Sequence, residues 1–98
     1  MENFQLESAE DIRQRLESRN AWLSMHSGKY KVEEQNRSPA RICDGTSYIL
    51  SYYDEHSRYV CTTHKVWCKD RGVVHEHVKD AIIDGVRFRA KKEEGDGK

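Results

Sequence analysis

The sequence holds a single proline, Pro39, and no run of apolar residues that approaches the length of a membrane span. It has no excess of one charge: Lys+Arg 17 balance Asp+Glu 17 in 98 residues. Proteins that grip nucleic acid through its phosphates usually carry surplus Lys and Arg, so the balance argues against a general nucleic-acid binder and leaves only a local basic patch open. Also missing are a Gly-rich phosphate loop, the Walker pattern, a Gly-x-Ser-x-Gly elbow, a His-Glu-x-x-His helix and any Cys-x-x-Cys pair. No apolar leader follows Met1, and the cysteines, Cys43, Cys61 and Cys68, are odd in number. Together these predict reduced thiols in a cytoplasmic protein, with no membrane association, rather than a disulfide framework. On this reading Cys43 is a small buried hydrophobe.

What is present bounds the fold. With 36% hydrophobic residues the chain can bury one modest core. Residues 1–90 are expected to form a single α+β domain, and 91–98, "KKEEGDGK", a flexible charged tail without an apolar residue. Ser8 and Asp11 resemble a capping box, and Ala9, Ile12, Leu16 and Leu23 fall near one face at helical spacing. The spacing predicts one helix from about Ser8 to Met25, stopped by Gly28. Beyond it, "KYKVEE" reads as a short strand and "NRSPARICDG" as a loop, because Pro39 bars a central strand there. "SYILSYY", "RYVCTTHKVW", "VVHEHVKDAII" and "VRFRA" are rich in β-branched and aromatic residues and read as strands. The expectation is an N-terminal helix packed on a four- to five-stranded antiparallel β-meander.

Side chains alternate faces along a strand, so turn lengths set which residues meet. A two-residue turn at Asp84-Gly85 sets Ile83 opposite Val86, Ala81 opposite Phe88 and Asp80 opposite Arg89. A four-residue "KDRG" loop with Gly72 left-handed sets Cys68 opposite Val73, Val66 opposite His75, Lys65 opposite Glu76 and His64 opposite His77. This register puts His64, His75, His77 and Cys68 on one face with Ala81, Ile83 and Phe88. The helix would cover that face, with the histidines at its margin, and the face of Lys65, Glu76 and Asp80 would be the wetter one. Cys61 points away from the histidines. A rival three-residue "DRG" loop, with a bulge at Gly72, would part His64 from His75 and His77.

Three imidazoles and a thiolate suit Zn(II). The candidate metal ligands are therefore His64, His75 and His77, with Cys68 or water in fourth place. The spacing matches no standard zinc finger, and strand histidines commonly have no ligand at all.

A second reading is metal-free RNA cleavage, with His64 and His77 as general base and acid and Lys79 facing the charged phosphate. The stretch "PARICDGTSYILSYYDEHSRYVCTTHKV" resembles the late strands of RelE/ParE-type bacterial toxins, where a Gly-containing turn leads into "YxxxY" and a hairpin. The resemblance implies a small RNase with RNA as partner. It covers less than half of the chain, and the basic excess of such RNases is absent.

A third reading is a binding role. Tyr48, Tyr52, Tyr53, Tyr59 and Trp67 lie on neighbouring strands, and such residues either anchor protein partners or simply pack a sheet. Adjacent Asp54 and Glu55 read as a solvated turn. The combined expectation is a small cytoplasmic interaction or accessory protein with a His-rich hairpin that takes a transition metal, and an RNase-like toxin as the alternative.

Overall fold

The computed structural model describes residues 3–91. The elements are β1 (Gln5–Glu7), α1 (Ala9–Ser18), α2 (Ala21–His26), β2 (Lys31–Pro39), β3 (Gly45–Tyr53), β4 (Tyr59–Cys68), β5 (Gly72–Ile83) and β6 (Val86–Ala90). They form one six-stranded sheet in the order β1-β6-β5-β4-β3-β2. The α+β class is as expected, but the sheet is mixed rather than a pure antiparallel meander. β1 joins the edge by pairing parallel to β6, Leu6 opposite Arg89. Three residues show no usable periodicity, which is why this strand is invisible in the sequence. β2 is also longer than "KYKVEE" and ends on Pro39 at the other edge, where a missing N–H costs no inner ladder bond. The tail expected over 91–98 lies outside the described residues except for Lys91, whose N–H donates to the Glu7 carbonyl at 2.7 Å.

The single long helix is in fact two. Ser8 caps α1, its hydroxyl accepting the Asp11 N–H at 3.0 Å. The helix stops because Asn20 turns left-handed, φ 60°, a conformation that Asn tolerates better than most residues. The break resets the helical phase. Ile12 and Leu16 stay fully buried, Ala21 and Met25 take over the inner face of α2, and Leu23 is turned out, 67% exposed. The sheet side of this core is Tyr52, Cys61, Val78, Ala81, Ile83 and Phe88.

The hairpin at Asp84-Gly85 has the expected register, with Asp80 opposite Arg89 and Ala81 opposite Phe88. The β4–β5 hairpin combines features of both proposed turns. Its loop is three residues, Lys69 to Arg71, so Cys68 faces Gly72 (φ 75°) and Trp67 faces Val73. A bulge at Val74 then restores the phase, and Val66 faces His75, Lys65 faces Glu76 and His64 faces His77.

A second bulge, at Lys79, reverses the expected assignment of faces. Thr63 pairs with Val78 but Thr62 pairs with Asp80, so Ala81 falls opposite Cys61. Ala81, Ile83 and Phe88 therefore share the helix-covered face with Cys61, Thr63 and Glu76. His64, His75 and His77 project from the opposite, open face. The helices do not cover the histidine side, and the face read as wetter is the one they bury.

Candidate metal centre

His64 comes from β4, and His75 and His77 from β5. Each offers a ring nitrogen, and these atoms all lie within 4.8 Å of one another. The ring centroids are 5.1 Å apart for His64 and His77, 5.2 Å for His75 and His77, and 5.7 Å for His64 and His75. The cross-strand pairing supplies the first contact. The two-residue strand period supplies the second.

The group is close enough to hold a metal ion. Tetrahedral Zn–N bonds of about 2.0–2.1 Å put ligand nitrogens about 3.3–3.4 Å apart, which side-chain rotation of the two exposed histidines can reach from the separations seen. Ser47 on β3 adds a support that sequence reasoning missed: its hydroxyl lies 2.5 Å from His64 Nε2. The contact orients the His64 ring, as an outer partner does for a metal ligand. Finding Ser47 from the sequence would have required the β3–β4 register, which contains a bulge at Val60.

Cys68 is not part of the group. Its sulfur is bonded to Cys43 in a disulfide that spans 25 residues, so it offers no thiolate. The expectation of reduced thiols is corrected for these two cysteines, and with it the step from cysteine count to a cytoplasmic setting. Cys61 is the free thiol, fully buried under the helices, where burial pushes its pKa up. Lys79 is also displaced from the histidines. It lines a neighbouring cleft on the open face with Tyr53, Tyr59, Asp80, Arg87 and Arg89.

The histidine cleft itself encloses about 610 Å³. Its far wall is made by Ser38 and Pro39 at the end of β2, and by Arg41 and Ile42 in the loop that follows. The Cys43–Cys68 disulfide ties that loop to β4, and the Lys69 N–H donates to the Asp44 carbonyl at 2.8 Å. Gly45 lies so close to β4 that a Cβ there would sit 1.9 Å from the Trp67 carbonyl oxygen. Only glycine lets the two backbones approach this closely.

Between His75 and His77, Glu76 points the other way, under α2. It accepts hydrogen bonds from His26 Nε2 at 2.9 Å, the Tyr52 hydroxyl at 2.8 Å and the Thr63 hydroxyl at 2.7 Å. Burial would raise its pKa, but these donors outweigh burial and hold the carboxyl down to about 2. His26 also donates from Nδ1 to the Trp22 carbonyl at 2.8 Å. Both of its partners are acceptors, which favours the protonated ring, and the hydrogen bond to Glu76 raises its pKa above 6.5 against the opposing effect of burial. Pinning Glu76 on the covered face commits its two neighbours to the open one.

The aromatic residues are split between faces rather than gathered. Tyr52 is buried in the core, its pKa pushed up first by burial and then by Glu76. Tyr59 donates to Asp80 at 2.8 Å on the open face. Tyr48 and Trp67 flank a shallow groove with Leu50, Lys65 and Val73. Asp54 accepts the His56 and Arg58 N–H groups at 2.8 and 3.0 Å, which makes it a turn former, in keeping with the solvated-turn reading. Among the described residues no helix is long and apolar enough to cross a membrane. No protein-family model matches the chain, and no curated protein or solved structure matches it.

Proposed function

We propose that this chain is a small accessory protein that binds a transition-metal ion, Zn(II) in the first instance, through His64, His75 and His77. The observation that carries the reading is the convergence of three imidazoles from two paired strands, their ligand atoms within 4.8 Å, on a face that the helices leave open. Borderline imidazole donors suit Zn(II) and Ni(II), and three protein ligands leave a position for water or a further ligand. Trp67 and Val73, both exposed beside Tyr48, are the residues best suited to anchor a protein partner.

The RNase reading keeps its His64–His77 pair but has less support. Lys79, assigned to the phosphate, lines the neighbouring cleft. The two rings are also 5.1 Å apart edge to face, so they meet each other rather than flank a phosphate.

The test is a titration of Zn(II) or Ni(II) into the oxidised protein while the histidine ring signals are followed by NMR. Joint shifts of His64, His75 and His77, with His26 and His56 unmoved, are expected. Ligation needs neutral imidazole, so affinity should fall as pH drops below about 6.5. Lack of binding at micromolar metal would exclude the reading.

A further inference from the structure

We propose that the histidine cleft is an oxyanion site, which takes a small molecule with an anionic head and an apolar body. One head oxygen completes the coordination of the metal, and another is held by Arg41. This inference rests on the metal reading above and names the class of ligand that the same site takes.

The first observation is the charge of the cleft. Among the described residues no carboxylate lines it; Arg41 is the one permanently charged side chain of that lining, and the rest is neutral residues and the three histidines. A divalent ion on three neutral imidazoles would keep its full charge. That charge, next to a guanidinium, is left for an external anion to neutralise.

The second observation is the state of Arg41. The other eight arginines each have a carboxylate within ion-pair distance. Among the described residues Arg41 has none, and no hydrogen bond engages its guanidinium. Among the described residues, a chain that pairs its arginines this thoroughly leaves one unpaired in the wall of its histidine cleft. Guanidinium matches carboxylate and phosphate oxygens through paired N–H donors.

The third observation is that the backbone on both sides of Arg41 is tied down. The Ala40 N–H donates to the Gly45 carbonyl at 3.1 Å on one side of it, and the Cys43–Cys68 disulfide closes the loop on the other. The loop backbone is thus ordered before binding, and the exposed Arg41 side chain is what remains to be fixed. Beside Arg41, Ile42 is 63% exposed, and Pro39 and Val66 also line the cleft. These are surfaces for an apolar body. The volume of about 610 Å³ exceeds what a bare inorganic anion would fill and lies within the range of small-molecule sites.

The head could be a carboxylate or a phosphate monoester, since both present oxygens to a metal and to a guanidinium. The experiment uses the oxidised full chain loaded with one equivalent of Zn(II), titrated calorimetrically with benzoate, phenyl phosphate and, as an uncharged control of the same body, benzyl alcohol. At least one anion should bind about tenfold or more tighter than benzyl alcohol, as a charge-assisted hydrogen bond would give. The tighter of the two anions identifies the head group. Arg41→Gln should weaken that anion about tenfold or more and leave Zn(II) uptake unchanged, which also reports that the variant is folded. Normal Zn(II) uptake with anions no tighter than benzyl alcohol, or with equal binding in Arg41→Gln, would overturn the anion site alone. Failure to take up Zn(II) would overturn the metal reading and this inference with it.

Discussion

His64 and His77 stand directly across from one another on β4 and β5, their rings edge to face at 5.1 Å. In this register His75, two residues along β5, joins them, so each should be indispensable to a metal. Replacing His77 by Ala is expected to weaken Zn(II) binding by more than the roughly 10–100-fold typical of outer-shell losses, while His56→Ala, in the β3–β4 turn, changes nothing. Competition against a chromophoric chelator measures both. Equal affinities in the two variants would rule out His77 as a ligand.

Ser47 offers a finer test, because it touches the ligand rather than the metal. Its hydroxyl is 2.5 Å from His64 Nε2. Ser47→Ala should reduce metal affinity by about 10–100-fold without changing stoichiometry, and Ser47→Thr, which keeps the hydroxyl, should recover most of it. If Ser47→Ala binds metal as tightly as the parent chain, the hydroxyl plays no part in orienting His64.

The break between α1 and α2 separates two leucines that the helical pattern would treat alike. Leu16 is 1% exposed and Leu23 67%. Leu16→Ala is therefore expected to cost about 2–5 kcal/mol, and Leu23→Ala under about 0.5 kcal/mol, by urea denaturation. Similar losses at both positions would mean that the helix runs unbroken through Asn20.

These cases show which parts of the fold are legible in the sequence. The Asp84-Gly85 turn is local, so the Asp80–Arg89 register can be read directly. The His64–His77 pairing expected from a four-residue loop holds only because the bulge at Val74 makes up for a loop one residue shorter, which puts Cys68 opposite Gly72 and not Val73. The bulge at Lys79 cannot be read, because one extra residue has no compositional mark, yet it moves Ala81 and Ile83 to the other face from His75 and His77. The break at Asn20 is hidden for a similar reason: a single left-handed residue interrupts a helix without disturbing its polar pattern. The Cys43–Cys68 bond depends on a loop and a strand end that meet only in three dimensions. Glu76 looked like half of a surface pair with Lys65. It is instead the buried acceptor of three hydrogen bonds, because the covered face is the opposite one.

The disulfide joins cysteines 25 positions apart and closes a loop that takes in β3 and all of β4. A Cys43→Ser, Cys68→Ser double variant should lose about 2–4 kcal/mol of stability, mainly through a less constrained unfolded chain. The loop that carries Arg41 and Ile42 also loses its covalent tie to β4, so its amide hydrogen exchange should quicken while exchange in the helices is little changed. Denaturation and hydrogen exchange together check this, and a variant as stable as the parent would mean that the bond adds nothing to the fold.

The pair of His26 and Glu76 fixes α2 to the sheet, and it predicts how stability depends on pH. His26 is raised above its ordinary value of 6.5, chiefly by the hydrogen bond to Glu76 and against the opposing effect of burial. A histidine whose pKa is higher folded than unfolded binds its proton more tightly in the folded state. Its contribution is fully present below about 6.5 and is lost as pH rises through the folded value. Glu76 stays ionised across this window, since its carboxyl is held down to about 2. The stability lent by the pair should thus be intact at pH 5.5 and diminished at pH 8.5. His26→Gln keeps a donor but cannot carry the charge, so the stability difference between parent and variant should shrink as pH rises from 5.5 to 8.5. Urea denaturation of both proteins at the two pH values measures it, and His64, His75 and His77 cancel because both proteins carry them. A difference that is constant or grows with pH would show that His26 is not protonated in the folded protein.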